Sequence, residues 1–156
     1  MLQPSPLRRR IFGLENEYGL IFSPNGRVYL PMEKVLGYIF EGLIPNSWPS
    51  NAFLVNGARF YQDTGCHPEY STPECDNILD LVIHDKAGER LLEACLPAAE
   101  ERWREAGLSG EAYIFNNNTD SLGNTYTCHD NFLIRRDLHS STVTQPTIPF
   151  SVRRQC

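Results

Sequence analysis

The chain has 156 residues, 41% of them hydrophobic and 21% charged, which fits one ordinary globular domain and excludes a disordered chain, a collagen-like chain and a disulfide miniprotein. Lys plus Arg number 14 against 19 Asp plus Glu, a net charge of -5, so the basic footprint of a nonspecific nucleic-acid binder is missing. No apolar run approaches the roughly 18 to 20 residues needed to span a bilayer, so neither nucleic acid nor membrane is expected as a partner.

Residues 1–10, ending in Arg8-Arg9-Arg10, read as a mobile arm with no apolar signal core behind it. From Ile11 to Phe22 the period is two, which predicts one half-buried strand. Glu15 and Glu17 share its open face. Ser23-Pro24-Asn25-Gly26 is a turn signal, with Arg27 to Leu30 returning as a second strand. Pro31 opens a helix carried by Val35, Leu36, Ile39, Phe40 and Leu43. Pro45 to Pro49 is a loop. Phe53-Leu54-Val55 and Ala58 to Asp63 flank Asn56-Gly57, the signal of a two-residue hairpin turn, and in the second arm Arg59, Tyr61 and Asp63 share a face. Thr64 to Pro73 reads as a loop holding His67, Glu69 and Thr72.

Helical character resumes near Asn77, with Asp76 as N-cap and an apolar stripe of Leu92, Cys95, Leu96, Ala99 and Trp103. Pro97 should kink or break it, and Gly107 should stop it. Ala112 to Phe115 reads as a buried strand and Asn116 to Asn124 as a polar loop. Thr125 to Ile134 reads as a further strand with His129 and Asn131 on one face. The tail, residues 138–156, is rich in Ser, Thr and Pro without a clear period. The five cysteines are odd in number and contain no C-x-x-C pair, which fits a reducing cytoplasm better than a disulfide framework or a zinc knuckle.

Four segments offer chemistry, and each also has a bland reading. Glu15 and Glu17, about 7 Å apart on a strand face, suit a hard cation such as Mg²⁺ or are two solvated carboxylates. Arg59, Tyr61 and Asp63 join a phosphate-type fork to a base, or form a cross-face ion pair. Glu69 and Thr72 extend a metal–phosphate site, or belong to an ordinary surface loop; His67 reads as structural. The amide-rich run around Asn116 to Asp120 suits a polar groove or a network of side-chain turns. No one of these is a strong motif. Their coincidence is the signal.

Together the segments resemble the Pup ligase family. The matching runs are Ile11-Phe12-Gly13-Leu14-Glu15-Asn16-Glu17-Tyr18-Gly19, Asn56-Gly57-Ala58-Arg59-Phe60-Tyr61-Gln62-Asp63, Gly65 to Asn77, His84-Asp85-Lys86-Ala87-Gly88-Glu89-Arg90 and Asn117-Asn118-Thr119-Asp120-Ser121. The resemblance runs from about residue 8 to 137, is specific in these runs and weakens in the tail; it implies that residues 11–137 are the N-terminal part of a glutamine synthetase-like ligase domain.

It implies an α/β fold of the α+β type, with a curved, mostly antiparallel sheet packed by helices. It also implies an ATP- and Mg²⁺-dependent ligase. The enzyme would activate the C-terminal glutamate of Pup, or a Pup-like modifier of the UBact type, as an acyl phosphate. It would then join it to lysines of proteins marked for proteasomal degradation. By position, Glu15, Tyr61 and Glu69 are implied at the metal, with Glu17 and His129 as weaker candidates. Arg59 and Thr72 are implied at ATP, and Asp63 as the proton acceptor.

A depupylase or Pup deamidase of the sister branch shares this site but carries a long insertion after the Glu-x-Glu motif. Glu15 stands only 36 positions before Asn51, which favours the ligase. Because family members run to several hundred residues, the sequence is also compatible with an inactive N-terminal fragment, and its chemistry with a small-molecule carboxylate–amine ligase. A partial sheet would leave an edge unpaired and apolar surface exposed.

Overall fold

A computed structural model describes residues 10–26, 30–43, 51–116, 119, 121–123 and 125–154. The N-terminal arm, Arg27 to Tyr29 of the expected return strand, the loop at Pro45 to Pro49 and part of the amide-rich run lie outside the described residues. Among the described residues, seven strands and three helices form a five-stranded antiparallel sheet, a two-stranded ribbon and helical packing on one side. This is the expected α+β architecture.

The segment expected as one long strand is two. β1 (Phe12–Glu17) lies inside the five-stranded sheet, and β2 (Gly19–Pro24) leaves it to pair with β6 (Gly110–Phe115). Tyr18 is the switch, its N–H donating to the Pro68 carbonyl at 2.9 Å. The period of two runs straight through it, so alternation alone does not show that the pairing partner changes. β3 (Asn51–Phe53) and β4 (Arg59–Asp63) form the expected hairpin, but with a longer turn. Leu54 and Ala58 still pair at 2.8 Å, which leaves Val55, Asn56 and Gly57 as the loop. Gly57 sits at φ 84°, a conformation suited to glycine.

The expected loop at 64–73 contains a strand, β5 (His67–Ser71), despite Pro68. It is held between β4 and β1, with Glu69 opposite Tyr61 on one side and Glu17 on the other. β7 (Cys128–Phe132) completes the order β3-β4-β5-β1-β7. Alternate residues of each strand point to the same side, so the register produces two faces of opposite chemistry.

The even-numbered face carries Ala52, Phe60, Tyr70 and Asn16 in one row. It packs on α1 (Met32–Leu43) and α2 (Ile78–Glu105) through Val35, Leu36, Ile39, Phe40, Leu92 and Cys95. Phe40 and Phe60 meet with ring centroids 4.6 Å apart. A Cβ at Gly88 would sit 2.4 Å from the Tyr70 ring, so α2 approaches the sheet where only glycine fits. Asn16, the polar member of the row, donates to Asp85 of α2 at 2.6 Å.

α2 runs unbroken through Pro97, contrary to the expected break. Pro97 lies on the exposed side, while Leu92, Cys95, Ala99 and Trp103 hold the opposite side in the core. Its N-cap is Asn77, one residue beyond the expected Asp76; the Asn77 side chain accepts from the Asp80 N–H at 2.9 Å. The helix stops at Gly107 as expected. The Ser/Thr/Pro-rich tail, which shows no period, nevertheless forms α3 (Ser140–Arg154) with Pro146 and Pro149 inside it. No described helix is long and apolar enough to cross a membrane. Cys66, Cys75 and Cys95 are free thiols. Large apolar side chains are exposed on several elements, among them Ile78, Leu79, Val82 and Ile83 of α2, Phe132 to Ile134 at the end of edge strand β7, and Ile148, Phe150 and Val152 of α3.

Candidate active site

The odd-numbered face of the same sheet is polar. Its rows follow from the register. Arg59, Ser71, Glu15 and His129 lie side by side across β4, β5, β1 and β7. Tyr61, Glu69 and Glu17 form the next row, and Asp63 faces His67 in the row beyond. Residues from four strands are thus brought together by the register.

Glu15 is the best-connected group. Tyr61 Oη donates to its Oε1, and Ser71 Oγ donates to the same oxygen at 3.1 Å. His129 Nδ1 lies 3.5 Å from its Oε2. Burial pushes the Glu15 carboxyl upward, but hydrogen bonds from Tyr61, Ser71, His129 and Asn131 outweigh it and hold it below the usual carboxylate range. Glu69, 4% exposed, goes the other way. Burial raises it, a hydrogen bond with Tyr61 opposes this, and the Glu15 and Asp63 charges add to the rise. The Tyr61 phenol is raised by its own burial and by its bond to Glu15, so it stays protonated and serves as a donor.

One ligand atom each from Glu15, Glu69 and His129 lies within 4.8 Å of the others. Two carboxylates that repel, one of them reluctant to ionise, together with an imidazole, are a donor set that a divalent cation would stabilise. The fit shows at Glu69 itself: its burial and the neighbouring Glu15 and Asp63 charges oppose its ionisation, which an added positive charge would relieve.

Glu17 is placed differently. His67 Nδ1 lies 2.5 Å from its Oε1, and Thr127 donates to its Oε2 from both N (2.9 Å) and Oγ1 (3.1 Å). Burial raises this carboxyl, and the Thr127 and His67 contacts outweigh it and lower it.

Arg59 lies over the Tyr61 ring, 4.0 Å from its centroid, and its Nε donates to Asn51 at 2.8 Å. Thr72 follows β5, and its Oγ1 accepts from the Leu14 N–H at 3.0 Å while its own N–H donates to the Leu14 carbonyl at 2.8 Å. Asp63 opens onto a polar cleft of about 620 Å³ lined also by Glu17, Thr64, His67, Tyr126 and Thr127. A wider groove of about 1430 Å³, with Leu14, Phe132, Val143 and Phe150 in its walls, reaches His129 but neither Glu15 nor Glu69.

The candidate site residues of the sequence therefore all fall on or beside this face. Ser71 and Thr127 belong to it too, without a sequence signal of their own. Ser71 becomes visible only once 67–71 is read as a strand, where it alternates with Glu69. The role of Thr127 is set by register across β1 and β7, which no local pattern reveals.

The family model described as "Pup-ligase protein" matches residues 10–156. A Pup--protein ligase of Nocardioides sp. is 51% identical over 147 residues, covering 94% of this chain and 32% of its own length. The crystal structure of the complex between the prokaryotic ubiquitin-like protein Pup and its ligase PafA matches with a TM-score of 0.82 at 37% identity, over 94% of this chain and 30% of that one. The structure of PafA in complex with ADP matches with a TM-score of 0.61 at 36% identity, over 83% and 28%. The chain spans about a third of the length of the curated relative it matches. A family model that covers the sheet, both of its faces and all three helices settles the kinship: the chain belongs to the Pup-ligase protein family.

Proposed function

We propose that the odd-numbered face is the catalytic face of an ATP- and Mg²⁺-dependent ligase that joins a Pup-like modifier, through its C-terminal glutamate, to substrate lysines. The observation that carries this reading is the convergence of Glu15, Glu69 and His129 ligand atoms on one spot, with Asp63 on the same face. Proteins so marked would be destined for proteasomal degradation, in the reducing cytoplasm that the free thiols suit.

In this reading Glu15 and Glu69 hold Mg²⁺, with His129 beside them and Tyr61 keeping Glu15 oriented and ionised. Arg59 and Thr72 face the nucleotide, Arg59 as a fixed guanidinium for phosphate. When bound, ATP and Mg²⁺ supply a phosphoryl group and the positive charge that offsets its transfer, which turns the modifier's carboxylate into an acyl phosphate. Asp63, at the polar cleft, accepts the proton of the incoming lysine ammonium and so frees its lone pair for attack. Collapse of the resulting adduct releases phosphate and leaves an isopeptide bond.

The test is a chimera carrying this chain in place of the matching third of the Nocardioides ligase. It is expected to conjugate Pup to protein lysine only with ATP and Mg²⁺ present. Asp63→Asn should slow conjugation by at least about 100-fold while nucleotide binding is kept. Undiminished conjugation in Asp63→Asn would refute the role of Asp63, and a chimera that hydrolyses Pup conjugates without forming them would refute the ligase reading.

A further inference from the structure

Glu17 shares a strand face with Glu15 and stands opposite Glu69 in register, yet it does not join the converging ligand atoms. Both its oxygens are taken. Oε1 is against His67 Nδ1 at 2.5 Å, and Oε2 accepts two hydrogen bonds from Thr127. The backbone repeats the link, since the Glu17 N–H donates to the Thr127 carbonyl at 3.1 Å. His67 also lies 4.9 Å, ring to ring, from Tyr126, the residue just before Thr127. So Tyr126 and Thr127 are both tied down by the pair Glu17 and His67.

Thr127 is two residues before His129. The His129 side chain is 58% exposed, and its only ion-pair partner among the described residues is Glu15. Little packing holds the ring, so where it sits depends on where β7 starts. We propose that Glu17 serves the site as a positioning residue and not as a ligand. With His67 it pins Thr127 and sets the start of β7, so that the His129 imidazole faces Glu15. This rests on the reading of Glu15, Glu69 and His129 as a cation centre. It gives the two carboxylates of the Glu-x-Glu motif different tasks, one bearing charge to the cation and one acting as a strut whose acceptor oxygens matter more than its charge.

A Mn²⁺ titration of the 156-residue chain, with pulsed EPR of the bound ion reading ¹⁴N coupling from imidazole, separates the tasks. Glu15→Gln and Glu69→Gln, which remove ligand charge, should weaken Mn²⁺ by at least about tenfold. Glu17→Gln keeps an oxygen for Thr127 and a polar contact for His67, so affinity and ¹⁴N coupling should stay within about threefold of the unmodified chain. Glu17→Leu cannot hold Thr127 and should lose the ¹⁴N coupling. Thr127→Ser should keep it and Thr127→Val should weaken it, a second pair that avoids touching Glu17. Loss of Mn²⁺ in Glu17→Gln as severe as in Glu15→Gln would overturn the proposal, and so would full ¹⁴N coupling in Glu17→Leu.

A chain that binds no Mn²⁺ at all would contradict the cation centre instead. The strut is then read without metal, from amide exchange over Cys128–Phe132. Glu17→Leu should accelerate that exchange at least about tenfold and Glu17→Gln should not; unchanged exchange in Glu17→Leu overturns the strut.

Discussion

The two faces of the five-stranded sheet are built by the same strands and obey opposite rules. On the even-numbered face Phe60 and Tyr70 are closed against α1 and α2, and its polar member Asn16 is satisfied by Asp85. On the odd-numbered face Glu15, Glu69, Tyr61 and Asp63 crowd like charge and phenol together. Burial stabilises the first face. The second is held by cross-strand hydrogen bonds that only partly offset the repulsion between its carboxylates. Strand register alone brings Glu15, Tyr61, Glu69 and His129 to one face. A period of two, with apolar residues kept to one side, puts the polar candidate residues on the other, and a one-residue register slip would destroy both faces at once.

The largest effects are expected on the packed side. Phe60→Ala should cost about 3 to 5 kcal/mol, read as urea-induced unfolding, because the fully buried ring that meets Phe40 leaves a cavity. Gly88→Ala should cost about 1 to 3 kcal/mol, since the added methyl meets the Tyr70 ring and pushes α2 from the sheet. On the polar side effects should be smaller. Tyr61→Phe should lose only about 1 kcal/mol, because Glu15 keeps Ser71 and His129 as partners. Glu69→Gln should have the opposite sign, raising the metal-free melting temperature by an amount worth about 1 kcal/mol or less, because it removes a charge next to Glu15 and Asp63. Equal losses from Phe60→Ala and Glu69→Gln would erase the distinction between the faces.

Much of the odd-numbered face can be read from sequence. Glu15 with Glu17, Arg59 with Tyr61 and Asp63, and His129 with Asn131 are alternations inside strands, and alternation survives folding. The helical core stripes of Val35 to Phe40 and Leu92 to Trp103 are equally local. What cannot be read is pairing between distant segments. Pro68 hides β5, because it signals a loop until strands on both sides hold it. The change of partner at Tyr18 leaves the pattern intact, and the continuity of α2 through Pro97 depends on core contacts on the helix's other side. The split between Glu15 and Glu17 is the same kind of fact. The two are equivalent on the strand, and only Thr127 and His67, brought in by register, make them different.

The most direct measurement is calorimetric titration of the chain with Mg²⁺, beside Glu15→Gln and Glu69→Gln. One saturable site is expected, weakened at least about tenfold in each variant. Mg²⁺ binding that is equally tight in all three proteins would contradict it.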